Sequence, residues 1–156
     1  MARGYSLLEV LFVLALTVVV SAMAVPFALA GLDQSRAAAA ATYIAGRLMQ
    51  ARLEAVKRSA FVALQFAEMN GEYWFQTYVD GNGNGVLARD ISRGIDRPLG
   101  AAEQLDQHFR GVTFGICPSV TPGVPGDPFN PNDHIQIGQA TVMSFSANGS
   151  STAGSL

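Results

Sequence analysis

Apolar and polar positions divide the chain into two regimes. From Val10 to Leu32 no residue carries a charge, and one carboxylate, Glu9, stands at the front of the run. At a rise of about 1.5 Å per residue a helix of this length crosses a hydrocarbon core of about 30 Å. A carboxylate in such a span is costly and marks a functional position. The helical pattern continues past Asp33. Ile44, Leu48, Ala51 and Ala55 recur every three or four residues, while Arg47, Arg52, Lys57 and Arg58 fall mostly elsewhere around the wheel. Ala37 to Ala41 is a run of small side chains that lets another helix approach closely. Together these features predict one helix over residues 5–59, about 80 Å if unbroken. Pro26 is expected to remove a hydrogen bond and to kink or locally melt it. The first half of so long a helix needs lipid or other helices; the second half can pack on its own domain.

From Ala60 the period changes to two. Phe61–Phe66 reads as a strand, Asn70-Gly71 as a tight hairpin turn and Glu72–Val79 as the return strand. Asp80-Gly81-Asn82-Gly83-Asn84-Gly85 forms a glycine-rich loop, and residues 86–109 give no clear period. Gly111–Cys117 alternates like a strand. Pro118–Asp133, with five prolines, reads as an irregular loop. His134–Ile137 and Thr141–Phe145 read as two more strands, and residues 148–156 as a turn-like tail with little to bury. The predicted fold is α+β: a long N-terminal helix packed on a small antiparallel sheet. Residues 1–4 precede the helix, residues 5–31 are its membrane-spanning part, and residues 60–156 form the globular domain.

Charge separates the same regions. The net charge is −2. Residues 5–60 hold five cations against three carboxylates, a net of +2; from Phe61 onward four arginines face nine carboxylates, a net of −5. An acidic distal domain is a poor match for nucleic acid. Cys117 is the sole cysteine, so this sequence forms no intrachain disulfide, and its alternating surroundings suit a small buried residue. His108 and His134 stand apart from any metal-type cluster.

Little in the chain suggests catalysis. There is no G-x-S-x-G elbow and no phosphate-binding loop with its lysine, and Asp90 and Asp96 read as surface charges. The one candidate cation site is Asp80, Asn82 and Asn84 followed by Gly85, which matches the first half of a calcium loop of the EF-hand type. The twelfth position, where a bidentate Glu is required, is Ile91; Asp90, one residue earlier, could substitute only with a different geometry. The competing reading is a hairpin loop whose Gly and Asn residues supply positive φ. No cofactor other than calcium is suggested.

The segment Gly4-Tyr5-Ser6-Leu7-Leu8-Glu9-Val10, behind the basic leader Met1-Ala2-Arg3, resembles the type IV prepilin signature. Tyr5 stands for the usual Phe and Ser6 for the usual Thr, both mild departures. Pro26 falls where many type IV pilins carry a helix proline. The resemblance implies that a prepilin peptidase cuts after Gly4 and methylates the new amine of Tyr5. Glu9 would then pair with the N-terminal amine of a neighbouring subunit and set register. The implied partners are that peptidase, other pilin or pseudopilin subunits, an inner-membrane assembly platform and the lipid bilayer. The implied place is the inner membrane, single-pass, N-terminus cytoplasmic and globular domain periplasmic, followed by a filament. The role would be structural rather than enzymatic.

The stretches Gln50–Arg58 and Phe145–Ser151, with the loop at Asp80–Gly85, resemble the FimT/GspH branch of minor pilins and pseudopilins, which serve type II secretion systems or type IV pili. Further strands usually follow in that branch, so the resemblance implies a C-terminally shortened chain. Two other readings stand beside it. A DNA-uptake pilin would need a basic distal surface. An exported domain cut after Ala22-Met23-Ala24 would have Val25 as its mature N-terminus, where a pilin has Tyr5.

Overall fold

In the computed structural model, residues 5–115, 135, 137 and 141–152 are described. Helix α1 spans Leu7–Arg58 and is followed by strands β1 (Val62–Met69) and β2 (Glu72–Val79). Short pieces come next: α2 (Ala88–Ser92), β3 (Arg97–Pro98), β4 (Glu103–Gln104) and α3 (Leu105–His108). The last strand is β5 (Val142–Phe145). The chain forms two compact units, residues 1–38 and residues 39–156.

In the first unit every described residue is exposed, including Leu8 at 78% and Phe27 at 81%. The helix is long and apolar enough to cross a membrane, with a mean hydropathy of 2.6 over its most apolar stretch. The hydroxyl of Thr17 donates to the carbonyls of Val13 and Leu14 at 2.7 and 2.9 Å, which masks its polarity against the helix itself. Contrary to the sequence expectation of local melting, α1 runs through Pro26 without interruption. Proline costs the helix one N–H, and the nearby Ala24, Ala28, Leu29 and Ala30, all good helix formers, carry the turn on.

In the second unit α1 buries one stripe, made of Ala40, Ile44, Ala51 and Ala55, with Leu48 packed against both core clusters. This is the face that the three-and-four spacing marks. The helix ends at Ser59, whose φ of 51° turns the chain. The Ala60 N–H donates to the Ala55 carbonyl and the Ser59 N–H to the Val56 carbonyl, both at 3.2 Å. This pair of bonds is the Schellman arrangement, which satisfies the last carbonyls of a helix.

The sheet is antiparallel, in the order β3-β2-β1-β5, with β4 also on β2. Met69 pairs with Glu72, so Asn70 and Gly71 form a two-residue turn; their φ values of 57° and 80° are those of a type I′ hairpin. Leu64, Phe66 and Phe75 lie under Ala40 and Ile44, and Val62 and Phe145 under Ala51 and Ala55. Phe66 packs edge-on to Phe114 with ring centroids 5.6 Å apart.

Three readings of the sequence need revision. Val112–Gly115 is irregular rather than a strand; its alternation serves to place Val112 and Phe114 against the core. Ile135 and Ile137 are buried in that core outside any strand, whereas Cys117 and His134 lie outside the described residues. The tail is not idle: Ser151 bridges Phe145, and Gly149, at φ 80°, is buried beside the Arg52 guanidinium.

Candidate functional site

At the start of α1, Gly4 lies outside the described residues, and Tyr5 is 83% exposed. Ser6 caps the helix. Its hydroxyl accepts the Glu9 N–H at 3.2 Å, and its carbonyl accepts the N–H groups of Glu9 and Val10. The spacing Ser6-Leu7-Leu8-Glu9 is that of a capping box, a local signal that the sequence carries beside the prepilin resemblance. Glu9 therefore stands in the first turn, where the helix dipole favours an anion. Tyr5, Glu9 and Val13 fall on one face and border a shallow apolar hollow with Val10 and Leu14. Among the described residues Glu9 has no cationic partner.

The glycine-rich loop is built around carboxylates. Asp80 accepts the N–H groups of Asn82, Gly83 and Gly85 at 2.9, 2.8 and 2.7 Å. Burial pushes the Asp80 carboxyl up, but the backbone donors from Asn82, Gly85, Gly83 and Asn84 outweigh it and hold the group below the usual range. Asp96 is 1% exposed and ties the two ends of the loop, accepting from Gly81 N–H at 3.1 Å and Leu87 N–H at 3.0 Å. Asp90 is 3% exposed and accepts the Asn84 side-chain amide at 3.0 Å. Asp90 and Asp96 are thus internal struts, not the surface charges expected. A buried carboxylate is tolerable only with such donors, and backbone N–H groups from a distant turn leave no mark in the sequence. Gly81 is required for a different reason than φ: a Cβ there would lie 2.0 Å from the Ile95 carbonyl oxygen.

Of the four candidate calcium ligands, the structure joins Asn84 to Asp90, whereas Asp80 faces backbone donors and Asn82 accepts from Asn84 N–H. Among the described residues no group of three or more His, Cys, Asp or Glu side chains is placed to hold a metal. A cation here would compete with N–H donors for the same oxygens.

A third cluster has no counterpart in the sequence pattern. Glu103, on β4, accepts from Tyr43 Oη and from Arg47 on α1, and its Oε2 lies 3.3 Å from His108 Nε2. Arg47 also donates to Gln50 at 2.9 Å, while its Nε is buried and makes no hydrogen bond. The hydrogen bond to Glu103, then burial and the Glu103 charge, push the Tyr43 hydroxyl up. Tyr43 and Arg47 are one turn apart on the helix, but Glu103 lies some 60 residues further on, so no local pattern joins them. The cluster pins the β4–α3 segment to α1.

A long exposed apolar helix whose second half packs on a small antiparallel sheet is a pilin-like α+β architecture. A curated relative agrees with it: the chain is 42% identical over 85 residues to the pilin-like protein PilA1 of Thermus thermophilus. The match covers 53% of this chain and 51% of that protein, so the chain spans about half the length of the curated relative it matches. No protein-family profile matches the chain, and no solved structure matches it.

Proposed function

We propose that this chain is a membrane-anchored pilin-like subunit that assembles with other pilin subunits through the first half of α1. The observation that carries this reading is the state of residues 5–38: a helix wholly exposed in the single chain, uncharged from Val10 to Leu32, with a carboxylate at its start that has no cationic partner among the described residues. Exposed apolar surface on that scale requires an apolar environment. Lipid supplies it before assembly, and sibling helices supply it afterwards. The pilin-like relative supports the same role.

The finer reading follows the prepilin resemblance. A prepilin peptidase removes residues 1–4 and methylates Tyr5. The subunit waits in the inner membrane with its acidic domain in the periplasm, and an assembly platform then draws it into a type IV pilus or a type II secretion pseudopilus. The loop at Asp80–Gly85 favours the FimT/GspH branch of minor subunits. The role is structural rather than enzymatic.

Glu9→Leu tests the assembly step. A carboxylate in an apolar span costs about 2–3 kcal/mol on insertion scales, so the variant should enter the membrane at least as well as the parent. It should be processed, yet recovered in sheared filaments at a small fraction of the parent level, because an amine is left buried without its counter-charge. Tagged protein is quantified in membrane and filament fractions, and its N-terminus is read by mass spectrometry. Parent-level incorporation of Glu9→Leu would refute the pairing. Maturation at Val25, or normal cleavage of Gly4→Val at Tyr5, would refute the prepilin reading.

A further inference from the structure

We propose that a groove at the hairpin end of the sheet receives, from a second copy of this chain, the outward face of α1 around Leu53. The proposal rests on the subunit reading above and names the surface by which one copy seats on the next.

The donor surface is a second apolar stripe on α1. Met49, Leu53 and Val56 are 53%, 61% and 49% exposed. At about 100° per residue they lie on the side of the helix opposite the buried Ala51 and Ala55. A helix whose only partner is its own sheet has no need of this stripe. Two cations flank it. Arg52 makes no ion pair among the described residues, and the Lys57 side chain is 75% exposed, with only a 3.5 Å contact to Glu54.

The receiving surface has the complementary chemistry. A groove of about 340 Å³ is lined by Leu105, Val112, Phe114 and Tyr73 together with the polar Gln104 and Thr113 and the carboxylates Glu72 and Asp106. Glu72 accepts the Gln104 amide at 2.7 Å and Asp106 the Gly111 N–H at 2.6 Å. Neither carboxylate has a cationic partner among the described residues. Apolar side chains beside carboxylates fit an apolar ridge with cationic flanks, and the exposed charges on the two surfaces are of opposite sign.

The two surfaces sit at different levels of the second unit. Leu105, in the groove, belongs to the cluster around Ala40 and Ile44; the Leu53 stripe backs the cluster around Ala51 and Ala55. From Ile44 to Leu53 the helix advances about 14 Å. A contact between two different patches is heterologous: it leaves a free patch at each end, and repetition extends it into a helical array rather than a closed pair. That is the symmetry a filament subunit needs.

The test uses the full chain in cells, in a Cys117→Ser background. Two copies with different tags carry Leu53→Cys and Thr113→Cys, both at exposed positions, and sheared filaments are treated with a mild copper oxidant. The expected product is a disulfide-linked pair bearing both tags, absent from either single-cysteine control. Glu72→Lys or Lys57→Glu alone should lower its yield about tenfold, and the two reversals in opposing copies should restore most of it. Circular dichroism of each variant confirms that its domain is folded. If the Cys117→Ser parent is abundant in filaments but no doubly tagged product forms, the groove proposal fails while the subunit reading stands. The same holds if Leu53→Cys links only to a different protein. If the parent is missing from filaments, the subunit reading fails and takes the proposal with it.

Discussion

The two halves of α1 are one element with two opposite fates. Both are rich in alanine and leucine and both hold the helix without interruption. Residues 5–38 bury nothing within the chain, whereas residues 39–58 bury an alanine-rich stripe against the sheet. Helix propensity alone does not distinguish them. Distribution of the apolar residues does: the first half is apolar all round from Val10 to Leu32, and the second confines its cations to part of the wheel so that Ala51 and Ala55 can meet Val62 and Phe145. An all-round apolar helix asks for an environment, and a striped one asks for a partner.

The same substitution placed in each half should separate these demands most sharply. Ala55 is 0% exposed, and Ala55→Asp would bury an unpaired carboxylate. The expected cost to the globular domain is about 3 kcal/mol or more, read as loss of the cooperative near-ultraviolet transition in detergent. Ala28→Asp, at an exposed position of the first half, should leave that transition in place. Its penalty of about 2.5–3.5 kcal/mol should fall on membrane insertion instead, read from the membrane-bound fraction. Equal loss of the domain transition in both variants would contradict the division.

Much of this division was legible before the structure. The uncharged run, the stripe through Ile44 and Ala55, and the Asn70-Gly71 turn are local signals, and each sets its element and even the β1–β2 register. What stayed hidden is non-local. Asp96 is a strut because Gly81 and Leu87 bring their N–H groups to it, and Glu103 matters because Tyr43 and Arg47 lie across from it. Residues 86–109 have no period because they form pieces of two to five residues, each held by such contacts rather than by its own pattern. Ser6 is the opposite case: its spacing to Glu9 is a local capping signal, and the structure shows its hydroxyl accepting the Glu9 N–H.

The loop at Asp80 extends the comparison to a part of the domain held by polar contacts instead of a stripe. Gly81→Ala should cost about 1–3 kcal/mol, because the obstacle to its Cβ is a backbone carbonyl that cannot swing away. Chemical denaturation should show it as a lower midpoint with an unchanged slope; parent-like stability would mean that the loop is slack.

Asp80→Asn should act more weakly and through pH. The carboxyl of Asp80 is depressed in the folded state, so the stability it contributes is present above its unfolded value, near 3.9, and is lost as pH falls through the lower folded value. The parent should therefore lose stability on acidification below about pH 4 faster than Asp80→Asn does. Parallel acid profiles would remove Asp80 from the account. The same pair reports on calcium: a rise in Tm with millimolar calcium in the parent alone would support a bound ion, by mass action on the native state. No rise would leave the loop held by its own N–H donors.

The smallest effect is expected at the ends of α1, and it sets the two serines that flank this helix against each other. Ser6 opens the helix with a hydroxyl that accepts a backbone N–H, which only a capping side chain can do. Ser59 closes it in the left-handed region, at φ 51°, with its side chain exposed. Its value there is backbone geometry alone, and a Cβ is a burden in that geometry. Ser59→Gly should relieve the strain while keeping the Schellman bonds from Ser59 and Ala60. Some of the gain is offset by the greater freedom of glycine in the unfolded chain. The net should be a stabilisation of about 0.5–1 kcal/mol, or roughly 2–4 °C in Tm for a domain of this size. Ser6→Gly, with its capping oxygen removed, should instead weaken the helix start by a few tenths of a kcal/mol. Helix content by circular dichroism and the domain Tm read the two ends separately. A lower Tm for Ser59→Gly would mean that the serine side chain, and not only its backbone, holds the junction between helix and sheet.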